Sequence, residues 1–423
     1  MLLHAPMKSL ARRRLLSWSI VAAVSCATIG CDKVETLVND AKQEVATQTA
    51  PAPVPAPTNT PAPAVAPVIA PAAVVVPPEQ ILAEFRTLPS TGITDAALAK
   101  LTASPEAASQ ITELDLTGNF AVTGSGLGEL AKLPGLKSLK VAGMGKLQAA
   151  EFDSLARVTG LTSLDAASTQ INNSNLPALA SITGLETLNL SRTQVTGNGA
   201  GHLAALTNLK ELLLDDTPTN DEAISAIKNL PLRVLRLPHA QVTNAAMAVI
   251  GEMTTLEELN ISYTAITGAA FAKAKLTNLR ILGVGETNFG VDGLIQIKRF
   301  KNLEELGMYR AQLHMDDGNL KFDPKADVFK GLPKLRKLNV GANGISDIGV
   351  ARFIAGAKEL EELHLALNSI SDRGLAELLK CPKLQSVELT GTKVSGTGIL
   401  ALKAAVAKQK RPEIVVTKDG QTH

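Results

Sequence analysis

The 423-residue sequence predicts an α/β protein built from one short strand-and-helix unit that is repeated along the chain. The motif Leu-x-x-Leu-x-Leu-x-x-Thr/Asn-x-Ile/Val recurs about every 24 residues, and its first, fourth and sixth positions are apolar in all twelve copies. Within each copy, apolar and polar residues alternate with the period of two that is typical of a strand, and stretches with helical spacing follow. Such a period indicates a stack of repeats.

Composition and charge exclude several classes of protein. The chain is 45% apolar, which is enough to bury a core, and its net charge is +2. A nearly neutral chain lacks the basic surface that unspecific nucleic-acid binding requires. Three cysteines cannot form a disulfide framework or a four-thiolate zinc site.

Residues 1–30 have the features of a secretory signal peptide. Residues 1–14 contain four basic residues and no acidic one, and an apolar stretch follows from Leu15 to Gly30. Its 16 residues are fewer than the roughly 20 that a membrane-spanning helix needs. We therefore expect the chain to be exported. Removal of this segment leaves 38 Lys and Arg against 40 Asp and Glu, a net charge of −2.

The end of the segment, Thr28-Ile29-Gly30-Cys31, resembles the bacterial lipoprotein signal, in which the cysteine is lipidated and becomes the mature N-terminus. The resemblance implies a lipid anchor at Cys31. Ala23-Val24-Ser25-Cys26 is a rival site, and the segment is also compatible with cleavage without lipidation or with an uncleaved anchor. We prefer Cys31 because the apolar run ends there and the polar region begins at Asp32.

Residues 31–78 are predicted to separate the anchor from the repeats. Residues 31–50 form a polar tether that is too short to be a stable helix alone. Residues 51–78 contain ten prolines among 28 residues, interleaved with Ala and Val, and are predicted to be a disordered linker. This composition favours extended polyproline II at about 3.1 Å per residue and does not pack a core. A spacer is the favoured interpretation, and a proline-rich ligand for another domain is the alternative.

Each repeat is predicted to begin with a short strand whose leucines point inward. The Thr or Asn at the ninth position can satisfy backbone groups where the chain turns. A Gly-Leu pair or its Gly-Ile variant then opens the helical return, as at Gly126, Gly374 and Gly398, and Asp347 and Asp372 suit helix starts. The twelve repeats are numbered here from their first positions: Ile111, Leu136, Leu161, Leu185, Leu209, Leu232, Leu256, Leu279, Leu303, Leu335, Leu360 and Leu384.

The pattern resembles the leucine-rich repeat family, in a bacterial variety of about 24 residues with Thr often replacing Asn, over about residues 90–405. The resemblance implies a right-handed solenoid, or horseshoe, with a parallel sheet on the concave face and helices on the convex face. Two departures stand out. Met144 occupies the ninth position of repeat 2, and repeat 9 has 32 residues, with extra residues around Asp316 to Asp327 expected to form a loop near the strand ends.

Both ends of the array need a cover, because an open sheet otherwise exposes its edges. Apolar residues in residues 79–110 predict a helical cap with a half repeat. Residues 111–423 are assigned to the repeats with a C-terminal cap, in which Ile414-Val415-Val416 is expected to add a last strand.

Catalytic and metal-binding motifs give little signal. The sequence contains no HExxH, GxSxG or GxxxxGK[ST] motif. Asp316-Asp317-Gly318-Asn319 with Asp323 lacks the alternating ligand order of a calcium loop, so we interpret it as a solvated acidic loop. Cys381 is expected to be a buried small apolar residue. The sequence therefore predicts no enzyme, no catalytic residue, no cofactor and no metal site.

The repeat register predicts which side chains lie on the exposed face of the sheet, namely those at positions three, five, seven and eight. Acidic residues at these positions number eleven: Glu113, Asp115, Asp165, Glu211, Asp215, Asp216, Glu258, Glu286, Glu305, Glu362 and Glu388. Basic residues number five: Lys140, Arg192, Arg236, Arg310 and Lys337. The face is expected to be net negative by six, to repel nucleic acid and to attract a basic protein or peptide.

Both tyrosines of the chain are predicted to lie on this face, in neighbouring strands or nearly so. Tyr and Arg are the residue types that most often anchor protein interfaces. We expect the contact patch to centre on repeats 4 to 9 and to include Arg192, Asp215, Asp216, Arg236, His239, Asn260, Tyr263, Glu286, Tyr309, Arg310 and His364. The alternative is that outward positions are polar in any case and that the tyrosines fall together by chance.

These expectations combine into one functional hypothesis. The chain is interpreted as a non-enzymatic, lipid-anchored scaffold of the cell envelope, facing the periplasm or the exterior, that binds a protein partner on its concave face. Its repeat domain is expected to be monomeric. The alternatives are a structural protein that associates with copies of itself and, with less support, a carbohydrate-binding or hydrolytic protein that uses the acidic groove. Fold alone does not decide among them.

Overall fold

The structure, a computed structural model, describes residues 76–313, 329–354 and 357–423. In this part of the chain, fourteen strands form one sheet in which the strand order follows the chain order. Each of the twelve repeats contributes one strand, and these strands pair in parallel with their neighbours. The predicted stack of repeats with a parallel sheet is therefore confirmed. The predicted loop around Asp316 to Asp327 and the segments before residue 76, with Cys26 and Cys31, lie outside the described residues.

The strands are short, and all but the last two have three residues. Their bounds are β1 Glu113–Asp115, β2 Ser138–Lys140, β3 Ser163–Asp165, β4 Thr187–Asn189, β5 Glu211–Leu213, β6 Val234–Arg236, β7 Glu258–Asn260, β8 Ile281–Gly283, β9 Glu305–Gly307, β10 Lys337–Asn339, β11 Glu362–His364, β12 Ser386–Glu388, β13 Val415–Lys418 and β14 Gln421–Thr422.

Short helices return the chain from one strand to the next. The α-helices are α1 Pro78–Arg86, α2 Asp95–Thr102, α3 Pro105–Ser109, α4 Gly124–Glu129, α5 Leu176–Ala180, α6 Gly197–Ala200, α7 Asp221–Ala226, α8 Asn244–Ile250, α9 Gly290–Ile297, α10 Asp347–Gly349, α11 Asp372–Glu377 and α12 Gly396–Lys408. The 3₁₀ segments are Ser90–Gly92, Leu130–Lys132, Ala149–Arg157, Asn173–Asn175, Gly201–Ala205, Gly268–Lys273, Phe329–Gly331 and Leu378–Lys380, and Val350–Ile354 is a π-helical turn.

The core follows the predicted register. The strands pair residue by residue at equal positions, as in Leu164 opposite Leu188 and Leu188 opposite Leu212. Side chains at positions one, four and six are buried in every repeat, and none is more than 6% exposed. Burial of a Leu-sized side chain stabilises the fold by roughly 1.5–3 kcal/mol, so these positions provide the main stabilisation of each repeat.

The ninth position satisfies backbone groups at the turn, as predicted. In repeat 4 the Thr193 hydroxyl donates a hydrogen bond of 2.6 Å to the Leu190 carbonyl, and Thr287 does the same to Val284. Asn368 does more, because its amide nitrogen donates to the Val340 carbonyl and its amide oxygen accepts from the backbone N–H of Asn343. A Thr at the ninth position therefore bonds within its own repeat, and Asn368 also bonds to the repeat before it.

A second set of bonds joins the helix starts of neighbouring repeats. Asp347 and Asp372 are the first residues of α10 and α11, as predicted, and each follows a Ser N-cap. Their carboxylates accept hydrogen bonds from the next repeat, where the Ser395 N–H and hydroxyl lie 2.8 and 2.7 Å from Asp372. One carboxylate therefore holds the N-terminus of the following helix. This bonding lowers the pKa of Asp372.

Carboxylates at such helix starts, with Asp95 of α2 among them, explain the glycines that open the helical returns. A Cβ at Gly398 would collide with the Asp372 carboxylate, and a Cβ at Gly126 would collide with the Asp95 carboxylate. At these two positions glycine leaves room for the carboxylate.

The two ends of the sheet are covered in different ways. Helices α1 to α3 precede β1 and bury Leu82, Leu98 and Leu101. At the other end β13 extends the sheet in parallel, as expected for Ile414-Val415-Val416, and β14 then pairs with β13 antiparallel. Among the described residues, no helix is long and apolar enough to cross a membrane.

The glycine argument predicts opposite effects at two positions of α4. Gly126→Ala is expected to destabilise the protein by about 1–3 kcal/mol, because the new Cβ displaces the Asp95 carboxylate. Gly128→Ala is the matched control, since a Cβ there meets no atom within 4 Å. It is expected to stabilise by about 0.5–1 kcal/mol. Urea unfolding followed by circular dichroism measures both, and equal effects of the two variants would contradict the explanation.

Candidate binding face

The exposed face of the sheet is built from alternate residues of the short strands. In β7 the side chains of Glu258 and Asn260 lie on the exposed face and Leu259 points into the core, and every strand from β1 to β12 follows the same alternation. Because equal positions pair across the sheet, side chains at one position form a row that crosses the repeats.

Position eight has an unusual backbone. In all twelve repeats its φ is positive, between 46° and 70°. Glycine occupies this position only in repeats 1, 2 and 12, and the other nine repeats place a side chain in the left-handed region. That conformation costs an L-residue about 1–2 kcal/mol. Sequence reasoning missed this turn, and the three glycines were its only signal.

In repeats 4 to 9 the side chains at position eight form a continuous series, which we call the position-eight row. It consists of Arg192, Asp216, His239, Tyr263, Glu286 and Arg310. All six are exposed or half-buried.

The first four members of the row contact one another in sequence. Arg192 Nε lies 3.3 Å from an Asp216 carboxylate oxygen, and the other oxygen of Asp216 lies 3.9 Å from His239 Nε2. The His239 ring stacks on the Tyr263 ring with a centroid distance of 4.0 Å and an interplanar angle of 13°. This close stack of rings is the centre of the row.

The last members continue the series. The Arg310 guanidinium lies 3.4 Å from the Glu286 carboxylate and 5.7 Å from the centre of the Tyr309 ring. Burial raises the pKa of the Tyr263 hydroxyl, and the negative charge of Glu286 raises it further. Tyr263, Glu286 and Arg310 therefore interact electrostatically.

Arg236 of β6 joins repeats 5 and 7 across the face. Its guanidinium lies 2.8 Å from Asp215 and 3.5 Å from Glu258. Burial opposes its charge, but the bonds to these two carboxylates outweigh burial, and the pKa of Arg236 is raised. Arg236 is therefore a fixed cation within the face.

Each of the five basic residues on the face is paired with an acidic one. The other pairs are Lys140 with Asp115 at 3.3 Å and Lys337 with Glu305 at 3.3 Å. The excess of eleven acidic over five basic side chains therefore remains on the face after pairing.

Comparison with known proteins identifies the fold. The Leucine Rich repeat family model matches residues 331–353, 359–379 and 380–403. An internalin of Listeria monocytogenes superposes with a TM-score of 0.54 and 20% identity, over 81% of this chain and 94% of that one. The fold is a leucine-rich repeat solenoid. A leucine-rich repeat protein of Leptospira interrogans gives a TM-score of 0.47 with 20% identity over 72% of this chain and 90% of that chain. No curated protein matches this chain in sequence.

The solenoid brings most of the predicted patch residues together, with two exceptions. Asn260 is only 8% exposed, because its amide oxygen accepts hydrogen bonds from the Ser262 N–H and hydroxyl. His364 lies in repeat 11, where it bonds to Glu362 at 2.8 Å, and is separate from the position-eight row. The bond to His364 lowers the pKa of Glu362. The two tyrosines belong to the β7 and β9 repeats, with the β8 repeat between them.

A row of charges at position two was also missed. Arg233 pairs with Glu257 at 2.6 Å, and Arg280 pairs with Glu304 at 2.9 Å. From repeat 6 to repeat 11 basic and acidic residues alternate at this position, and this alternation was visible in the sequence. Exposed pairs of this kind contribute little stability individually.

Metal ligands and the buried cysteine were the remaining candidates for chemistry. No group of three His, Cys, Asp or Glu residues in it is arranged to hold a metal ion. Cys381 is fully buried, as predicted, and burial raises the pKa of its thiol to about 11. The thiol is therefore protonated at neutral pH and is a poor nucleophile.

The raised pKa of Tyr263 can be tested directly, because the chain has only two tyrosines. In an alkaline titration followed at 295 nm, Tyr263 is expected to ionise above the ordinary tyrosine pKa of about 10. Glu286→Gln should lower this pKa, since the negative charge that disfavours the phenolate is gone, while burial keeps part of the shift. Tyr263→Phe should remove the ionisation step of Tyr263 from the titration curve. An unchanged titration in Glu286→Gln would contradict the electrostatic contact.

Proposed function

We propose that the protein is a non-enzymatic binding protein that takes a protein partner on the exposed face of its sheet, with repeats 4 to 9 as the main contact. The position-eight row carries the proposal. It presents two Arg residues and an exposed Tyr that are held in place by contacts with their neighbours. Tyr and Arg are enriched among the residues that dominate binding energy.

The charge of the face indicates the kind of partner. Eleven acidic and five basic side chains favour a basic protein or peptide and disfavour nucleic acid. Because every basic side chain of the face already has an acidic neighbour, the partner also meets a fixed pattern of positive and negative charges. Such a pattern favours selectivity by penalising misplaced charges.

An exposed sheet suits binding better than catalysis. General acid–base chemistry gains most from a dry, concave pocket, whereas Tyr263 is 38% exposed and its neighbours are paired charges. We therefore assign no catalytic residue, cofactor or metal.

We further propose that the protein works at the cell envelope. The N-terminal segment and the cysteine that ends its apolar run support export and lipidation at Cys31. Residues 31–78 then act as a spacer between the membrane and the solenoid.

Loss of the central row should weaken partner binding. The double variant Tyr263→Ala, Arg310→Ala removes the aromatic and cationic anchors. Ala is compatible with position eight, because Ala342 occupies it with φ of 55°. Crosslinked capture from the native envelope with the full chain is expected to fall at least tenfold, as for loss of hot-spot residues.

Lys140→Ala is the control for this experiment, because Lys140 lies on the same face in repeat 2 and outside repeats 4 to 9. Its capture should stay near the wild-type level. Equal capture by the double variant and the wild type, with both folded by circular dichroism, would refute the patch. Homotypic crosslinks alone would instead support the self-associating class of envelope protein.

The lipid anchor has its own test. Cys31→Ser should abolish incorporation of labelled palmitate and release the exported chain from the membrane fraction. Cys26→Ser is the matched control and should keep both label and membrane association. If Cys26→Ser loses the label and Cys31→Ser keeps it, Cys26 is the lipidated residue. Absence of label from the wild type would exclude lipidation.

A further inference from the structure

The outer edge of strand β1 differs from the same edge of the strands that follow it. In repeat 2, position three donates its backbone N–H to the strand before it, as Ser138 does to the Thr112 carbonyl at 3.1 Å. Position five accepts from the same strand, since the Lys140 carbonyl receives the Leu116 N–H at 2.8 Å. Among the described residues, no strand precedes β1 in the sheet. The first strand therefore lacks the partner that every later repeat has on this side.

Two backbone groups of β1 show what is missing. Position three of repeat 1 is Glu113 and position five is Asp115. Within the described part of the chain, no residue bonds to the Glu113 N–H or to the Asp115 carbonyl. An unpaired strand edge of this kind is a template for one more strand.

A groove lies beside this edge. Its volume is about 390 Å³. It is lined by Phe85, Leu88 and Ile93 of the N-terminal cap and by residues 110–115, which include β1. The cap thus leaves a space next to the strand edge that it is expected to cover.

The core of repeat 1 is not fully closed at this groove. Ile111 at position one and Leu114 at position four are 5% and 6% exposed, whereas Leu136 and Leu139 at the same positions of repeat 2 are 0% exposed. Apolar surface that remains in contact with water is stabilised by a further cover. The groove therefore combines apolar walls with unpaired backbone groups, which are the two features that an added strand uses.

The chain that precedes helix α1 is long enough to reach the groove. The helix begins at Pro78, and residues 1–75 lie outside the described residues. Its nine residues correspond to a length of about 14 Å, and Phe85 near its C-terminal end lines the groove. An extended chain that runs back along the helix at about 3.3 Å per residue covers this length in about four residues. Residues 66–72 are therefore within reach.

The composition of this segment suits an apolar groove. No residue between 51 and 78 is charged, so its entry requires no desolvation of a charge. Val68 and Ile69 have high strand propensity. They are successive residues and lie on opposite faces of a strand, so one of them faces the core side in whichever direction the strand runs.

The spacing of the prolines is the second, independent observation. Nine of the ten prolines between residues 51 and 78 have odd numbers, and the exception, Pro78, is the first residue of α1. Successive residues of a strand turn their backbone groups to opposite edges. A strand of this sequence would keep the N–H groups of all even residues on one edge, and proline is tolerated in an edge strand when its side of the backbone faces solvent. Polyproline II, with three residues per turn, requires no such parity.

We propose that residues 66–72 occupy the groove as an added strand on the outer edge of β1, with the backbone groups of their even residues bonded to Glu113 and Asp115. The occupant of the groove is thus the protein's own proline-rich segment. This inference goes beyond the proposed function and does not depend on it, because the groove is separate from repeats 4 to 9. It closes the first edge of the sheet and shortens the spacer to residues 31–65.

Hydrogen exchange of the Glu113 amide tests the added strand, because this N–H has no bond to another described residue. The full chain is compared with two variants by mass spectrometry with fragmentation to single residues. Val68→Pro removes a donor that faces β1. Ile69→Pro is the matched control, since it also loses a β-branched side chain but faces away from β1.

We expect the Glu113 amide to exchange at least about tenfold faster in Val68→Pro than in the wild type, because a strand hydrogen bond is lost. Ile69→Pro should exchange like the wild type. The Ser138 amide, which is bonded between β1 and β2, should exchange equally in all three proteins and reports that the solenoid is intact.

Equal exchange of the Glu113 amide in the wild type and Val68→Pro would overturn the added strand. Equal acceleration in Val68→Pro and Ile69→Pro would also overturn it, because the proline parity would then have no effect. Protection of Glu113 that increases with protein concentration and is insensitive to Val68→Pro would assign the groove to a second copy of the chain and refute the proposed occupant.

Discussion

The in-register pairing of parallel strands is the constraint on which the rest of the structure depends. Each repeat bonds to the next through equal positions, as Leu188 does opposite Leu212 and Leu212 opposite Leu235. The burial of positions one, four and six maintains this register, since a slip of one residue would turn the leucines outward. Equal positions therefore lie side by side at about 4.8 Å, and a pattern along the sequence becomes a row across the face.

Two such rows differ in how far their side chains compensate one another. At position two of repeats 6 to 11, charges alternate in sign and compensate one another, as in Arg336 with Glu361 at 2.7 Å. At position eight, the row mixes charges with a ring stack, and Tyr263 keeps 38% of its surface exposed. Because the charged side chains at position two pair with one another, they offer few unpaired groups to a partner. The position-eight row leaves the aromatic surface of Tyr263 exposed.

The sequence predicted the parts of the structure that a local period specifies. The twelve strands, the buried leucines, the ninth-position hydrogen bonds and the helix starts at Asp347 and Asp372 follow from residue type and spacing alone. The left-handed turn at position eight was not predictable, because nine repeats place a residue other than glycine there. The burial of Asn260 and the isolation of His364 depend on contacts between repeats and on distance across the sheet, which no single repeat reveals.

The distribution of residues at position eight is difficult to explain by folding alone. The left-handed conformation costs an L-residue about 1–2 kcal/mol, and glycine removes that cost. Glycine stands there in repeats 1, 2 and 12, and the side chains in repeats 3, 10 and 11 are Ser168, Ala342 and Leu367. Only repeats 4 to 9 carry charged or aromatic groups at this position, and they do so in six successive turns. Their contacts with one another are exposed and contribute little stability. A strained backbone that holds such groups in a continuous series is not explained by folding, and it supports the proposal that repeats 4 to 9 form the main contact with a partner.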